Sequence, residues 1–399
     1  MSIAGITNFL IEYKWILIFY ALIVLFIYTN RKKFDIQGRI VFLYRTNFGL
    51  KFIDKISEKY KEFVKILGLV GIGVGFIGLF AISILLIQNL FNLLFKPETT
   101  PGVGLVIPGV HIPGSPIFVP FWFGIIALFI VVLVHEFGHG IIARAHGLKI
   151  KSSGFGMFAV LPIAFVEPDE KTVKKQPDHI QYSIFSAGPF FNILLAAFAA
   201  LLLFAVFFPV QGGITEPVGF SVSEIQKGYP AEIAGVKSNI LVTGINGAET
   251  LTVEDFSNEI SSVKPGETIT LNTNETIYSI TTTEHPENPK KAYIGILGLT
   301  NERRFTGESA ESKILFDILI WFKTLFQWIF VLSFGIGLAN LLPLGPVDGG
   351  RMMQVALQRL YGDKAKGDKL WKQISMLFLF ILAVNIFFPI LKEIFGKIL

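Results

Sequence analysis

The sequence predicts a polytopic α-helical membrane protein of about six transmembrane helices that carries one water-soluble α+β domain. Three observations predict it. Of 399 residues, 52% are hydrophobic and only 16% charged, 40 are Phe, and the mean hydropathy is +0.59, a balance foreign to ordinary soluble domains. Six apolar runs follow one another: roughly Trp15–Tyr28, expected to begin a few residues earlier, then Val64–Leu90, Val119–Ala143, Ile184–Val210, Thr324–Leu342 and Ile374–Leu391. Between the fourth and fifth runs the composition turns soluble, from about Gly213 to Arg304, where acidic residues outnumber basic ones. Four segments result: 1–118, two spans joined by a basic loop; 119–212 and 305–399, the two parts of a membrane core; and 213–304, the soluble insert.

Charge placement orients the spans. No basic region precedes the first run and Arg31-Lys32-Lys33 follows it, so it reads as an uncleaved anchor with its N-terminus outside. Residues 31–65 carry ten Lys and Arg and are expected in the cytoplasm, chiefly as a solvated basic face. The Pro/Gly-rich stretch Lys96–Pro116 then falls outside, and Lys149–Lys175 and Arg351–Lys372 fall inside. This threading leaves both termini and the insert extracytoplasmic. The net charge of +5 resides mainly in these loops and suits contact with anionic lipid, not nucleic acid. The chain has no Cys, so any metal ligands must be His, Asp or Glu.

Within the insert, short β-rich runs occupy Val218–Ile225, Ile240–Ile245, Glu267–Asn272, Thr276–Thr282 and Tyr293–Ile296. Thr252 precedes a short helix, Val253–Ser262, with Glu254 and Asp255 in its first turn, where the helix dipole favours acids.

The chemistry begins at His135-Glu136-Phe137-Gly138-His139, at the end of the uncharged run Phe121–Val134. Histidines at i and i+4 share a helix face and can hold one Zn²⁺, with the intervening glutamate in reach of a bound water. Ionisable residues in a lipid-spanning segment are expensive and mark function. Counting back from Arg144 at the inner end of the span, His139 and His135 lie roughly 7 and 13 Å deeper along the helix. A catalytic zinc takes a third protein ligand. His146 lies eleven positions after His135, and Glu167, Asp169 and Glu170 lie in a charged loop. Asp348 lies in Asn340-Leu-Leu-Pro-Leu-Gly-Pro-Val-Asp348-Gly-Gly350, where prolines and glycines break the fifth span. Broken backbone at that depth needs protein or a water-filled cavity around it, and it can turn a carboxylate toward the metal.

Three separated motifs together resemble the site-2 protease family of intramembrane zinc metalloproteases: HEFGH at 135–139, Gly188-Pro189-Phe190-Phe191-Asn192 at the start of the fourth span, and Asn340-Leu-Leu-Pro with Asp348-Gly349 closing the fifth. Val347 stands where the family usually has leucine. The insert, through Gly228-Tyr229-Pro230-Ala231-Glu232 and Ile245-Asn246-Gly247, resembles a PDZ domain, with Ser238-Asn239 where many such domains have Gly-Asp. The resemblance implies that His135, His139 and Asp348 bind Zn²⁺ and that Glu136 is the general base. Asn192 and Asn340 are candidates for holding the substrate backbone or oxyanion, or simply for capping a break or bonding a neighbouring helix. It further implies a membrane-embedded β-hairpin over residues 148–166, whose edge can pair with an unwound substrate segment.

The implied activity is hydrolysis of peptide bonds in transmembrane substrates, after an upstream protease has trimmed the ectodomain. The expected location is the cell membrane, multi-pass, with the lipid bilayer as the other partner and the active site nearer the cytoplasmic side. Two other readings stay open: a membrane-anchored zinc peptidase acting on soluble chains, and a metal-binding receptor or chaperone without catalysis. The presence of Glu136 speaks against the latter, because a structural zinc has no use for a base.

Overall fold

A computed structural model describes residues 13–38, 41–95, 102–112, 115, 117–158, 161–286 and 288–395. In chain order the membrane part begins with helix α1 (Lys14–Thr29), the hairpin β1 (Phe34–Gln37) and β2 (Val41–Thr46), and helices α2 (Leu50–Lys59), α3 (Lys61–Phe95) and α4 (Phe121–Ala145). The hairpin β3 (Ile150–Phe158) and β4 (Leu161–Pro168) follows, then α5 (Asp178–Leu202), which runs through a π-helical turn into α6 (Phe208–Ile214).

Among the described residues five helices are long and apolar enough to cross a membrane: Lys61–Phe95, Phe121–Ala145, Asp178–Ile214, Ala310–Asn340 and Lys364–Lys392. The chain is a polytopic membrane protein. Helix α1, at 16 residues, is about 24 Å long, and its expected earlier start lies outside the described residues. The spans expose large apolar side chains such as Ile77, Phe80, Phe204 and Phe380, which only a hydrocarbon solvent tolerates in such numbers.

The basic segment 31–65 is not the solvated loop expected from its charge. Val41–Thr46 is a six-residue β-rich run, and as β2 it pairs antiparallel with β3 from Val41↔Phe158 to Thr46↔Ser153, giving a sheet of order β1-β2-β3-β4. Ten basic residues obscured a β signal that needs only six positions. The hairpin expected over 148–166 is present as β3 and β4, and among the described residues β4 pairs only with β3, its other edge turned toward α4. The core of this unit, with Ile53, Ile142, Ala187, Leu341 and Met352 all buried, joins α2, α4 and α5 to the break after the fifth span.

A second compact unit covers Phe204–Trp321. Strands β5 (Thr215–Ile225), β6 (Ile240–Ile245), β7 (Ala248–Glu249), β8 (Thr268–Thr273), β9 (Ile277–Thr281) and β12 (Ile296–Phe305) form a sheet of order β12-β5-β6-β8-β9 with β7 on β6, while β10 (Thr283–His285) and β11 (Asn288–Tyr293) form a separate ribbon. Helix α7 (Val253–Ser262) starts where its sequence predicts: the Thr252 hydroxyl accepts from the Asp255 N–H, and the Asp255 carboxylate accepts from the Thr252 N–H, a capping box. Phe220, Val242, Ile245, Phe256 and Leu271 fill the core. The strand expected at Tyr293–Ile296 is instead the link between β11, which ends at Tyr293, and β12, which begins at Ile296, and the long strand β12 itself was not expected. As an edge strand it is largely exposed, so its polar run Thr300–Arg304 carries no alternation to read.

The chain returns through α8 (Ala310–Asn340), α9 (Asp348–Tyr361) and α10 (Lys364–Phe395).

Candidate metal centre

Helix α4 places its motif by periodicity. His135, Gly138, His139 and Ile142, at i, i+3, i+4 and i+7, are all buried on one face. The helix ends in a Schellman motif: Gly147, at φ +76°, donates its N–H to Arg144 O, and Leu148 donates to Ala143 O. That turn reverses the chain into β3, which brings β4 back along α4. The Val166 N–H of β4 donates to Glu136 Oε2 at 2.9 Å, so the backbone of the edge strand holds that carboxylate in the cavity that both histidines line.

Helix α5 crosses the same face. Gly188 lies in the middle of α5, not at the start of its span, because the helix begins six residues before the apolar run, at Asp178. A Cβ on Gly188 would stand 2.5 Å from His135 Nε2 and closer still to His139 Nε2. The missing side chain is what lets the helix lie against the imidazoles. The Ile184 carbonyl, one turn earlier, accepts from His139 Nδ1 at 2.7 Å, which leaves Nε2 as a lone-pair donor.

The third group arrives from the broken span. Helix α8 stops at Asn340, Pro343 and Pro346 forbid its continuation, and α9 restarts at Asp348. A Cβ on Gly349 or Gly350 would strike the carbonyls of Leu341 and Leu344, so only glycine permits the restart to sit on the loop. The Trp371 indole N–H donates to Gly350 O at 2.9 Å and pins the turn. Asp348 Oδ2 then lies 3.2 Å from His135 Nε2 and 3.4 Å from His139 Nε2, and the two Nε2 atoms are 3.2 Å apart. A tetrahedral zinc with ligands at 2.0–2.1 Å has donor-to-donor edges of about 3.3 Å, so this triangle is one face of such a tetrahedron. Among the described residues this is the group of His, Asp and Glu that could hold a metal ion.

The environment of Asn192 supports the same fit. The residue is fully buried, its Nδ2 stands 3.1 Å from His135 Nδ1, and its Oδ1 has no partner. A half-turn of the amide puts that orphaned oxygen on Nδ1, whose proton it accepts once Nε2 is committed to a cation. Asn192 is thus placed behind His135 and off the cavity wall. Its backbone carbonyl also accepts from the Ser333 hydroxyl at 2.8 Å, which ties it to α8. Asn192→Ala is expected to weaken zinc binding by roughly 10- to 100-fold while leaving the fold intact, as read by chelator competition and thermal melting. Unchanged zinc affinity would remove its orienting role.

Asn340 behaves differently. It is half-buried, donates to Ile336 O at 3.0 Å, and lines a cavity of about 720 Å³ together with His135, Glu136, His139, Val166 and Asp348. The other third-ligand candidates are committed elsewhere. Glu167 lines the cavity mouth but accepts from Arg45 and Ser152; burial pulls its carboxyl up, and these two donors hold it below the usual carboxylate range. The Thr172 hydroxyl and Lys151 hold Asp169 down to about 2. Glu170 pairs with Arg351, and His146, just beyond α4, lies near Lys65 and His179. The contacts that sequence reasoning missed are backbone ones, from Val166 and Ile184, for which side-chain identity carries no signal.

The model of peptidase family M50 matches residues 123–382, the stretch that contains His135, Glu136, His139, Asn192, Asn340 and Asp348. An uncharacterized protein of Methanocaldococcus jannaschii is 31% identical over 345 residues, covering 84% of this chain and 83% of that protein. The zinc metalloprotease RasP of Geobacillus kaustophilus is 25% identical over 265 residues, 54% of this chain and 61% of that one. A membrane-bound transcription factor site-2 protease homolog of Arabidopsis thaliana is 27% identical over 156 residues, 39% of this chain and 29% of that one. Among solved structures, the PDZ domain of an SdrC-like protein of Listeria monocytogenes matches 20% of this chain and 85% of that domain at 24% identity, with a TM-score of 0.18. With the family model spanning well over half the chain, the protein belongs to peptidase family M50.

Proposed function

We propose that this metalloprotease is a zinc-dependent intramembrane endopeptidase of the site-2 type, cutting peptide bonds in transmembrane segments of other proteins. The observation that carries the proposal is the donor triangle in which His135 and His139, with Glu136 between them in sequence, stand on a helix apolar enough to span a bilayer, and which Asp348 closes from the start of α9. The three side chains would hold Zn²⁺. When bound, the ion supplies Lewis-acid polarisation of the scissile carbonyl and lowers the pKa of water toward about 7.

The chain's own groups do the rest. Glu136 takes a proton from the attacking water as its oxygen bonds to the carbonyl carbon, then returns it to the amide nitrogen as the C–N bond breaks. Asn192 and the Ile184 carbonyl keep both imidazoles in the ligand tautomer. The place of Asn340 on the cavity wall supports a role in holding the substrate backbone or the oxyanion. The outer edge of β4, whose residues Phe165–Pro168 line the cavity, supports presentation of an extended substrate strand, because a peptide bond locked in helical hydrogen bonds is poorly open to attack. The direct test is purified enzyme in vesicles with a single-span substrate. The substrate should be cut within its apolar segment, and cleavage confined to soluble loops would favour the membrane-anchored peptidase reading instead.

The positive-inside rule supports a cytoplasmic placement for residues 31–65 and an extracytoplasmic one for the insert. A cysteine introduced at Asn246 should therefore react with an impermeant thiol reagent in intact cells, whereas one at Lys59 should not. This chain has no cysteine to confuse the labelling. The reverse pattern would invert the topology.

The insert, read as PDZ-like, contains no residue of the metal centre and fits a role as a size filter. Replacing 213–304 by a flexible linker is expected to leave zinc content and cleavage of a pre-trimmed substrate largely intact, and to permit cleavage of an untrimmed substrate that the intact protein rejects. A folded, zinc-loaded deletion variant that cuts neither would show that the insert presents substrate.

A further inference from the structure

We infer that helix α2 is a binding surface for anionic phospholipid headgroups, and that its occupancy steadies the metal-bearing helix α4. The two ends of the argument lie on opposite faces of ten residues. On the inner face Ile53 and Ser57 are buried against α4. The Ser57 hydroxyl donates to Ile141 O at 3.1 Å, a Cβ on Gly140 would meet Ile53, and the Arg144 guanidinium pairs with Asp54 at 2.8 Å. The Phe52 ring packs at 5.9 Å from that of Phe137, which sits inside the HEFGH motif, and Gly49 at the start of α2 abuts the same ring. Helix α2 therefore grips α4 along the turn that holds His139 and the one after it.

On the outer face Lys51, Lys55 and Lys59 recur every four residues and are all exposed. Their acidic neighbours do not neutralise this face: Asp54 is spent on Arg144, which leaves Glu58 among them. Residues 31–65 hold ten basic and four acidic residues, a surplus of six in a chain whose total is +5, so the rest of the protein is close to neutral. The depth of α2 follows from its connections. Lys61, two residues beyond its end, opens the spanning helix α3, and its inner face meets the terminal turns of the spanning helix α4. That places α2 at a membrane surface. Phe52, Tyr60 and Phe63, each at least half exposed, flank the lysines with the apolar and aromatic groups of an interfacial helix. A row of ammonium groups at headgroup level above aromatic side chains complements a lipid phosphate, and a polybasic surface attracts anionic lipid.

The test reads lipid binding directly, so it survives even if the peptidase reading fails. Full-length protein in mixed phosphatidylcholine and phosphatidylglycerol micelles should retain phosphatidylglycerol preferentially in native mass spectrometry. The variant Lys51→Gln/Lys55→Gln/Lys59→Gln should lose that preference by on the order of fivefold per lysine. In pure phosphatidylcholine vesicles the two proteins should cut a single-span substrate equally, and added phosphatidylglycerol should accelerate only the unaltered chain. Equal enrichment in both proteins, or displacement of the lipid by millimolar inorganic phosphate, would overturn the assignment of a lipid headgroup. Enrichment without any change in rate would overturn its link to α4. Loss of cleavage in both proteins with the lipid preference intact would count against the peptidase reading, not against this surface.

Discussion

Glu136→Gln should keep its zinc and lose about two to four orders of magnitude of peptidase activity, because the amide can neither take the proton from water nor return it to the amine. His135→Ala, His139→Ala and Asp348→Ala should instead fail at the earlier step. Each removes one corner of a triangle whose edges are 3.2, 3.2 and 3.4 Å, and two ligands do not retain a catalytic zinc. Metal analysis of the four purified variants beside their rates separates the two classes: one zinc per chain in Glu136→Gln, and little in the other three. Full zinc content with full activity in Asp348→Ala would take that residue out of the centre and return Glu167, on the same cavity wall, to consideration.

Gly188→Ala is expected to be nearly as damaging although it adds only one methyl group and removes no ligand. That methyl would lie within 2.5 Å of His135 Nε2 and nearer to His139 Nε2, inside the volume the donor atoms occupy. Relief requires α5 to back away by on the order of 1 Å, and a displacement of that size in a catalytic constellation costs about 100-fold in rate. The shift would also draw Asn192 and the Ile184 carbonyl off their imidazoles, so zinc affinity should fall together with the rate. A Gly188→Ala enzyme with unaltered zinc affinity and rate would mean that α5 does not press on the centre. Changing Gly335, whose Cβ meets nothing within 4 Å, is the matched control.

Reading residues in order reached far in this chain because its main forces are local in sequence. A lipid-spanning helix is recorded by its own composition, so α3, α4 and α10 overlap the expected runs, and the Thr252 capping box marks the start of α7 from three residues away. Histidines four apart share a face on any helix. The prolines and glycines around Asp348 announce a break wherever they stand, because Pro lacks the N–H that a helix needs.

Other features depended on partners far along the chain. Val41–Thr46 became a strand because β3, more than a hundred residues later, offers it a ladder, and its basic surroundings hid that possibility. Asn192 was a candidate for a substrate contact or for a bond to a neighbouring helix, yet it is buried against His135 Nδ1, does not line the cavity and is tied to α8 through Ser333. The Val166 N–H on Glu136 and the Ile184 carbonyl on His139 come from backbone atoms, which every residue owns and no sequence displays. Spans, motif and helix break were thus settled by short-range periodicity and covalent geometry. The approach of Asp348 to the histidines, the partner of His139 Nδ1 and the seat of the Glu136 carboxylate were decided by tertiary packing, because each depends on two segments meeting within 3 to 4 Å across 30 or more residues of sequence.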